Sequence, residues 1–213
     1  MASTTIIPNG YTNTGSYNFT LDTSSSRRIQ NAYANADNTS ASARLTLASN
    51  SSSTRTSTMY LEFDKATVNA IPAGSTIDSI TANVRYYVNS TSVITALSIQ
   101  LYADTTAKGT AVTSRSRTSA KYAITPGSWT LAELKTIRLY ISATHSASTS
   151  SGYLYLYGAD VTINYTAPTP TGPTNIRVKS SGSWVTPQKV LVKQNGSWSE
   201  ASAIKAKDNG TWK

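Results

Sequence analysis

Ile80-Thr81-Ala82-Asn83-Val84-Arg85-Tyr86-Tyr87-Val88 decides the fold. Ile80, Ala82, Val84, Tyr86 and Val88 alternate with Thr81, Asn83, Arg85 and Tyr87. A period of two sets one face of a strand against a core and the other towards water, as in antiparallel sheets. The reading extends in both directions. Met59, Leu61 and Phe63 alternate with Tyr60, Glu62 and Asp64; Leu97, Ile99 and Leu101 with Ser98, Gln100 and Tyr102; Ile137, Leu139 and Ile141 with Arg138, Tyr140 and Ser142. Leu45 and Leu47 mark another strand. Leu154 and Leu156 lead on to Val161, Ile163 and Tyr165, with Gly158 read as a bulge or kink. About seven to nine strands over residues 1–166 predict two packed sheets, an all-β, jelly-roll-type β-sandwich. The Ser/Thr-rich segments 48–57, 89–94 and 143–152 read as loops. Thr130 and Glu133 have the spacing of a capping box for one helical turn after Trp129.

Residues 167–174 carry three Pro and read as an extended, semi-rigid linker. Beyond it, residues 175–213 repeat with a period of 14. Ile176-Arg177-Val178-Lys179-Ser180-Ser181-Gly182-Ser183-Trp184 returns as Val190-Leu191-Val192-Lys193-Gln194-Asn195-Gly196-Ser197-Trp198. It returns again as Ile204-Lys205-Ala206-Lys207-Asp208-Asn209-Gly210-Thr211-Trp212. A Ser-Gly or Asn-Gly turn between short alternating segments predicts one β-hairpin per unit, turning at Gly182, Gly196 and Gly210. A lone hairpin cannot bury its apolar face. Trp184, Trp198 and Trp212 are therefore expected to pack against another repeat or another protomer. Lys179, Lys193 and Lys207 align as well, and are expected to splay towards water or an acidic partner.

Composition narrows the function classes. The chain has no Cys, so disulfides and thiolate metal sites are excluded. No apolar run approaches the ~18 residues of a membrane span, so no membrane insertion is expected. The start, from Met1 to Gly10, has neither the basic nor the apolar region of a signal peptide. Net charge is +9, of which residues 168–213 carry +5. The Lys and Arg are scattered singly and form no stripe with aromatics, so nucleic acid is not an expected partner.

Few residues answer to catalytic chemistry. His145, the single His, reads as an exposed loop residue within a Ser/Thr-rich stretch. Glu62 and Asp64, two apart on one strand, have the rough spacing of a glycosidase carboxylate pair, although a solvated strand face beside Arg85 or Lys65 is the plainer reading. Asp22, Asp37, Asp64, Asp78, Asp104 and Asp160 could supply oxygens to a structural calcium, but no calcium-loop motif is present. No cofactor is expected. Tyr87, Tyr102, Tyr140 and Tyr155 are the candidate glycan-binding residues, with Tyr60, Tyr153 and Tyr157 on the same kind of face. Exposed Tyr can stack on sugars, contact a neighbouring subunit, or pair across strands and steady the sheet. All three roles stay open here.

Two resemblances add to this reading. Met59-Tyr60-Leu61-Glu62-Phe63-Asp64, followed by Ile71-Pro72-Ala73-Gly74-Ser75-Thr76-Ile77-Asp78-Ser79-Ile80 and the strand up to Tyr87, resembles bacterial and phage surface jelly rolls of the DNRLRE type. Trp129-Thr130-Leu131-Ala132-Glu133-Leu134 ahead of Ile137-Arg138-Leu139 is similar to the short helix before a late strand in such domains. The tail is similar to the Lys-Asn-Gly-Trp-type repeats that close many phage head and tail proteins. Together they imply a non-enzymatic bacteriophage virion structural protein, a tail or capsid-exterior decoration assembled in the host cytoplasm. Its implied partners are other virion proteins, copies of itself and a host surface polysaccharide used in attachment. A bacterial cell-surface carbohydrate-binding module is the alternative, and a depolymerase fragment acting through Glu62 and Asp64 a further one.

Overall fold

The computed structural model describes residues 1–168, 178–180, 182–185, 187, 189–194, 197–200, 207–208 and 211–212. The chain divides into two compact units, Met1–Ala167 and Pro168–Lys213, with the boundary at the expected Pro-rich linker. Linker residues 169–174 lie outside the described residues.

The first unit holds eleven strands: β1 (Ala2–Ile6), β2 (Pro8–Thr14), β3 (Thr20–Leu21), β4 (Ala43–Thr46), β5 (Arg55–Phe63), β6 (Thr76–Val88), β7 (Ile94–Ala103), β8 (Thr106–Val112), β9 (Ala120–Ile124), β10 (Ile137–His145) and β11 (Tyr153–Thr166). They form two antiparallel sheets. One runs β3-β4-β11-β6-β9, with β1 also on β11; the other runs β2-β5-β10-β7-β8. The pairings β4–β11, β5–β10, β6–β9 and β7–β8 nest inside one another like the rungs of a single long hairpin. The seams β6–β11 and β7–β10 roll that hairpin into two layers. This is the eight-strand jelly roll, widened by β1 to β3.

Alternation fills the space between the layers. Met59, Leu61, Phe63, Val84, Tyr86, Ile99, Leu101, Leu139, Ile141, Leu154, Leu156, Val161 and Ile163 are all buried. Tyr86 belongs to this inner set, as its place in the pattern predicts. Its ring stacks on Tyr122 at 4.7 Å and its hydroxyl donates to the Ser114 carbonyl at 2.8 Å. Burial pushes that phenol well above its ordinary pKa, so it stays a donor.

The strand ends run further than their composition suggests. Ser57 and His145, placed in loops by the sequence, continue the inward alternation of β5 and β10, and both are fully buried. Between Asp64 and Ile71 the chain forms helix α1 (Lys65–Asn69), capped by Asp64. Helix α2 (Leu131–Leu134) carries the capping box expected from Thr130 and Glu133. Lys108 Nζ lies 2.8 Å from Glu133 and 5.3 Å over the Trp129 ring, which ties this turn to β8.

Gly158 sits at the expected irregularity, a register shift of β11 against β6. A Cβ there would lie 2.4 Å from the carbonyl oxygens of both Ala34 and Asn35. Segment 34–36 is therefore laid directly on the strand, and the Ala159 amide donates to Ala34 at 2.9 Å.

Two outcomes follow. Gly158→Ala forces this segment off the strand and lowers unfolding free energy by about 1–3 kcal/mol, as measured by urea denaturation. The Lys108 ammonium, followed by the Thr130 amide and hydroxyl, holds the Glu133 carboxyl down at about 2. A depressed folded-state pKa stabilises the fold above the ordinary value of 4.5. That contribution fades as pH falls through about 2, so NMR titration of Glu133 should place its midpoint near there.

Candidate functional site

The four Tyr singled out by the sequence do not form one surface. The rolled topology puts Tyr102 and Tyr140 on the outer face of the five-stranded sheet, and Tyr87 and Tyr155 on that of the six-stranded sheet.

On the first face, register sets Tyr140 beside Tyr60 of β5 and Gln100 of β7, and Arg138 beside Glu62 and Tyr102. Tyr60, Tyr102 and Tyr140 pack as a tilted trio with centroids 4.9–5.7 Å apart. Tyr60 is only 9% exposed although it faces outward, because its neighbours cover it. Burial first, then the adjoining phenols, pushes Tyr60 and Tyr102 upward in pKa, so both keep their hydrogen-bonding protons. Arg138 lies 5.2 Å over the Tyr60 ring and pairs with Glu62 at 3.2 Å and Asp104 at 3.2 Å.

On the second face, Tyr87 and Tyr155 lie opposite each other in register and stack nearly parallel, 4.5 Å apart with 7° between planes. Arg27 sits 5.1 Å over Tyr155 and Arg44 5.1 Å over Tyr153. Arg44 pairs with Asp22 at 2.6 Å and Arg27 donates to the Ser42 hydroxyl at 2.7 Å. The scattered Arg of the sequence are thus interleaved with aromatics by the fold, which the linear chain did not reveal. Tyr155 has one ring face on Tyr87 and the guanidinium over the ring, so little of its π surface is left for a sugar.

The second unit shows three antiparallel strand pairs. They are β12 (Val178–Ser180) with β13 (Ser183–Val185), β14 (Leu191–Gln194) with β15 (Ser197–Glu200), and β16 (Lys207–Asp208) with β17 (Thr211–Trp212). In each, the repeat's Lys lies directly across from its Trp: Lys179 from Trp184, Lys193 from Trp198, Lys207 from Trp212. Lys193 does not splay away. Its Nζ lies 5.8 Å over the Trp198 ring, because a cation gains from the ring's negative face. Trp198 is 66% exposed, with Leu191 and Val192 exposed beside it, so no sibling repeat buries it. Gly182 has φ +86°, the left-handed turn conformation that suits Gly. Gly196, Gly210 and the side chains of Trp184 and Trp212 lie outside the described residues.

The carboxylate candidates each have another occupation. Glu62 is held by Arg138 and by Lys65 at 3.4 Å, with Arg85 away on the other sheet. Asp64 caps α1, accepting from the Thr67 hydroxyl at 2.6 Å and the Ala66 amide at 3.0 Å, bonds that hold its carboxyl below the usual range. Asp22, Asp37 and Asp104 pair with Arg44, Lys121 and Arg138 respectively, and Asp78 accepts from Thr166. Asp160 is buried on the second sheet, accepting from the Ala36 amide at 2.8 Å and from Asn83 at 2.9 Å. Among the described residues, no three His, Asp or Glu converge in a way that could hold a metal ion. Nor is any described helix long and apolar enough to cross a membrane.

His145 is not an exposed loop residue. It ends β10, fully buried, with Nδ1 2.6 Å from the Ser146 carbonyl and Nε2 2.8 Å from that of Ser150. The residue clasps the 146–150 loop, and a Cβ on Gly152 would come within 2.9 Å of its ring. Compared with models of known protein families and with curated protein sequences, the chain matches none.

His145→Ala removes the ring that clasps the Ser146 and Ser150 carbonyls and leaves a cavity in its place. It is expected to destabilise the fold by on the order of 3 kcal/mol in chemical denaturation, with a local loss of amide protection over residues 146–150.

Proposed function

We propose that the chain is a non-enzymatic structural component of a bacteriophage virion, a tail or capsid-exterior decoration. The sandwich is its displayed body and the Lys–Trp segment its assembly contact. The observation that carries this reading is the exposure of Trp198 on a two-stranded pair whose Leu191 and Val192 are also exposed. A large indole left in water on a unit too small to bury it is the mark of a surface awaiting a partner. Trp is also the residue type most enriched at the anchoring points of interfaces. The resemblance of the 14-residue repeat to phage head and tail repeats supports a virion as the setting, with other virion proteins or further copies of the chain as the partner.

The occupied state of Glu62 and Asp64 supports a non-enzymatic role. A glycan contact on the host surface is the second part of the proposal. On the sheet faces it is better supported at Tyr102 and Tyr140, whose tilted rings stand beside the polar side chains of Gln100, Arg138 and Asp104, than at the stacked Tyr87 and Tyr155.

Removing residues 168–213 tests the assembly part. The sandwich should keep its melting temperature within a few degrees while incorporation into particles, read by immunoblot of purified virions, is lost. Decoration of particles by the truncated chain would show that the anchor lies elsewhere.

A further inference from the structure

β6 outruns β9. It begins at Thr76, yet β9 pairs with it only from Ala82 to Tyr86. Past Ile124 the chain leaves this sheet, and Thr125 bridges to Thr110 of β8. One edge of Thr76–Thr81 therefore has no strand neighbour among the described residues. In the gap lies an open cleft of about 180 Å³, lined by Ile77, Asp78, Ser79 and Ile80 on one side and the Gly127–Trp129 turn on the other.

The cleft's chemistry is uneven. Ile77 and Ile80 are half-buried and Trp129 is buried, giving an apolar wall. Asp78 falls at a register irregularity, where Ser79 pairs with Asn164 and Ile77 with Tyr165. Its Oδ2 accepts from the Thr166 hydroxyl at 2.8 Å, and Oδ1 has no hydrogen-bond partner among the described residues. The Ser79 hydroxyl accepts from Asn164 at 2.9 Å, which leaves its own hydrogen to donate. The Ser128 hydroxyl and the backbone of β6 along this edge complete the polar side.

We propose that this cleft binds a single neutral sugar ring bearing adjacent hydroxyls. A carboxylate presents two oxygens that accept from neighbouring hydroxyls together, and such charge-assisted bonds are the strong ones. The half-buried Ile77 and Ile80 offer an apolar wall to the C–H face of a pyranose. The same carboxylate repels acidic sugars. The proposal rests on the glycan-contact reading and adds to the tyrosine face a second contact at the β6 edge.

The test uses the full chain and ligand-observed NMR with methyl glycosides of glucose, mannose and galactose, and with glucuronate as the acidic comparator. Neutral glycosides should bind and glucuronate should bind more weakly. Asp78→Ala should weaken the neutral sugars about tenfold or more, and Ser79→Trp should fill the cleft and block them. The double variant Tyr102→Ala, Tyr140→Ala removes the sheet-face contact, and the binding that remains in it is the cleft's. Thermal melts confirm that each variant folds. Sugar binding that survives both cleft variants made in that background, or that the Tyr variant abolishes, overturns the cleft while leaving a glycan contact standing. If no sugar binds at all, both readings fall.

Discussion

The structure depends on the seam between β6 and β11. Each of these long strands is buried on one side and dressed with hydroxyls, amides and phenols on the other, and each holds its outer neighbours in place. β6 lies mid-sequence in the sandwich and β11 at its end, so the pairing closes a loop of some sixty residues with β7 to β10 inside it. A slip of one residue would turn Val161 and Ile163 to water and Asp160 and Thr162 to the core. The register survives two irregularities, at Gly158 and near Tyr165. The first is where segment 34–36 lies on the strand, and the second leaves Asp78 out of the pairing that flanks it. A pattern built on such distant contacts forms late relative to local turns.

The outer faces show how a sheet can carry many aromatics without a sticky surface. The Tyr residues are not spread out as separate platforms. They cluster across strands, cover one another and sit under Arg side chains, which are in turn held by Asp, Glu or hydroxyls. Of the three roles open to them in the sequence, cross-strand stabilisation has direct geometric support. Among the described residues, large exposed apolar side chains such as Ile7, Leu191, Val192 and Trp198 lie elsewhere.

The polar residues that looked chemically suggestive have structural work instead. Asp64 starts a helix, Glu62 balances Arg138, and Asp160 holds a crossing segment through the Ala36 amide. His145 ties down a loop with both ring nitrogens. Lys179, Lys193 and Lys207 each stand across from a Trp in the strand register. Net charge of +5 on that short segment gives any such contact a salt-sensitive component.

The sequence by itself determined the all-β class, the inward face of β5, β6, β7, β10 and β11, the capping box of α2 and the division at the Pro-rich linker. Each is a local property, carried by period-two alternation, by Thr130 and Glu133 three apart, or by clustered Pro. It could not reveal β1, β2, β8 and β9, because these edge strands bury few side chains and carry little apolar alternation. Nor could it place α1, whose signal is one Asp side chain turning back to two donors. Tertiary structure alone decided that Tyr102 and Tyr140 part company with Tyr87 and Tyr155. It also brought Arg27 over Tyr155 and left a cleft where β9 leaves β6. Those facts depend on which strands become neighbours when the hairpin rolls up, and that choice is made by the whole core at once.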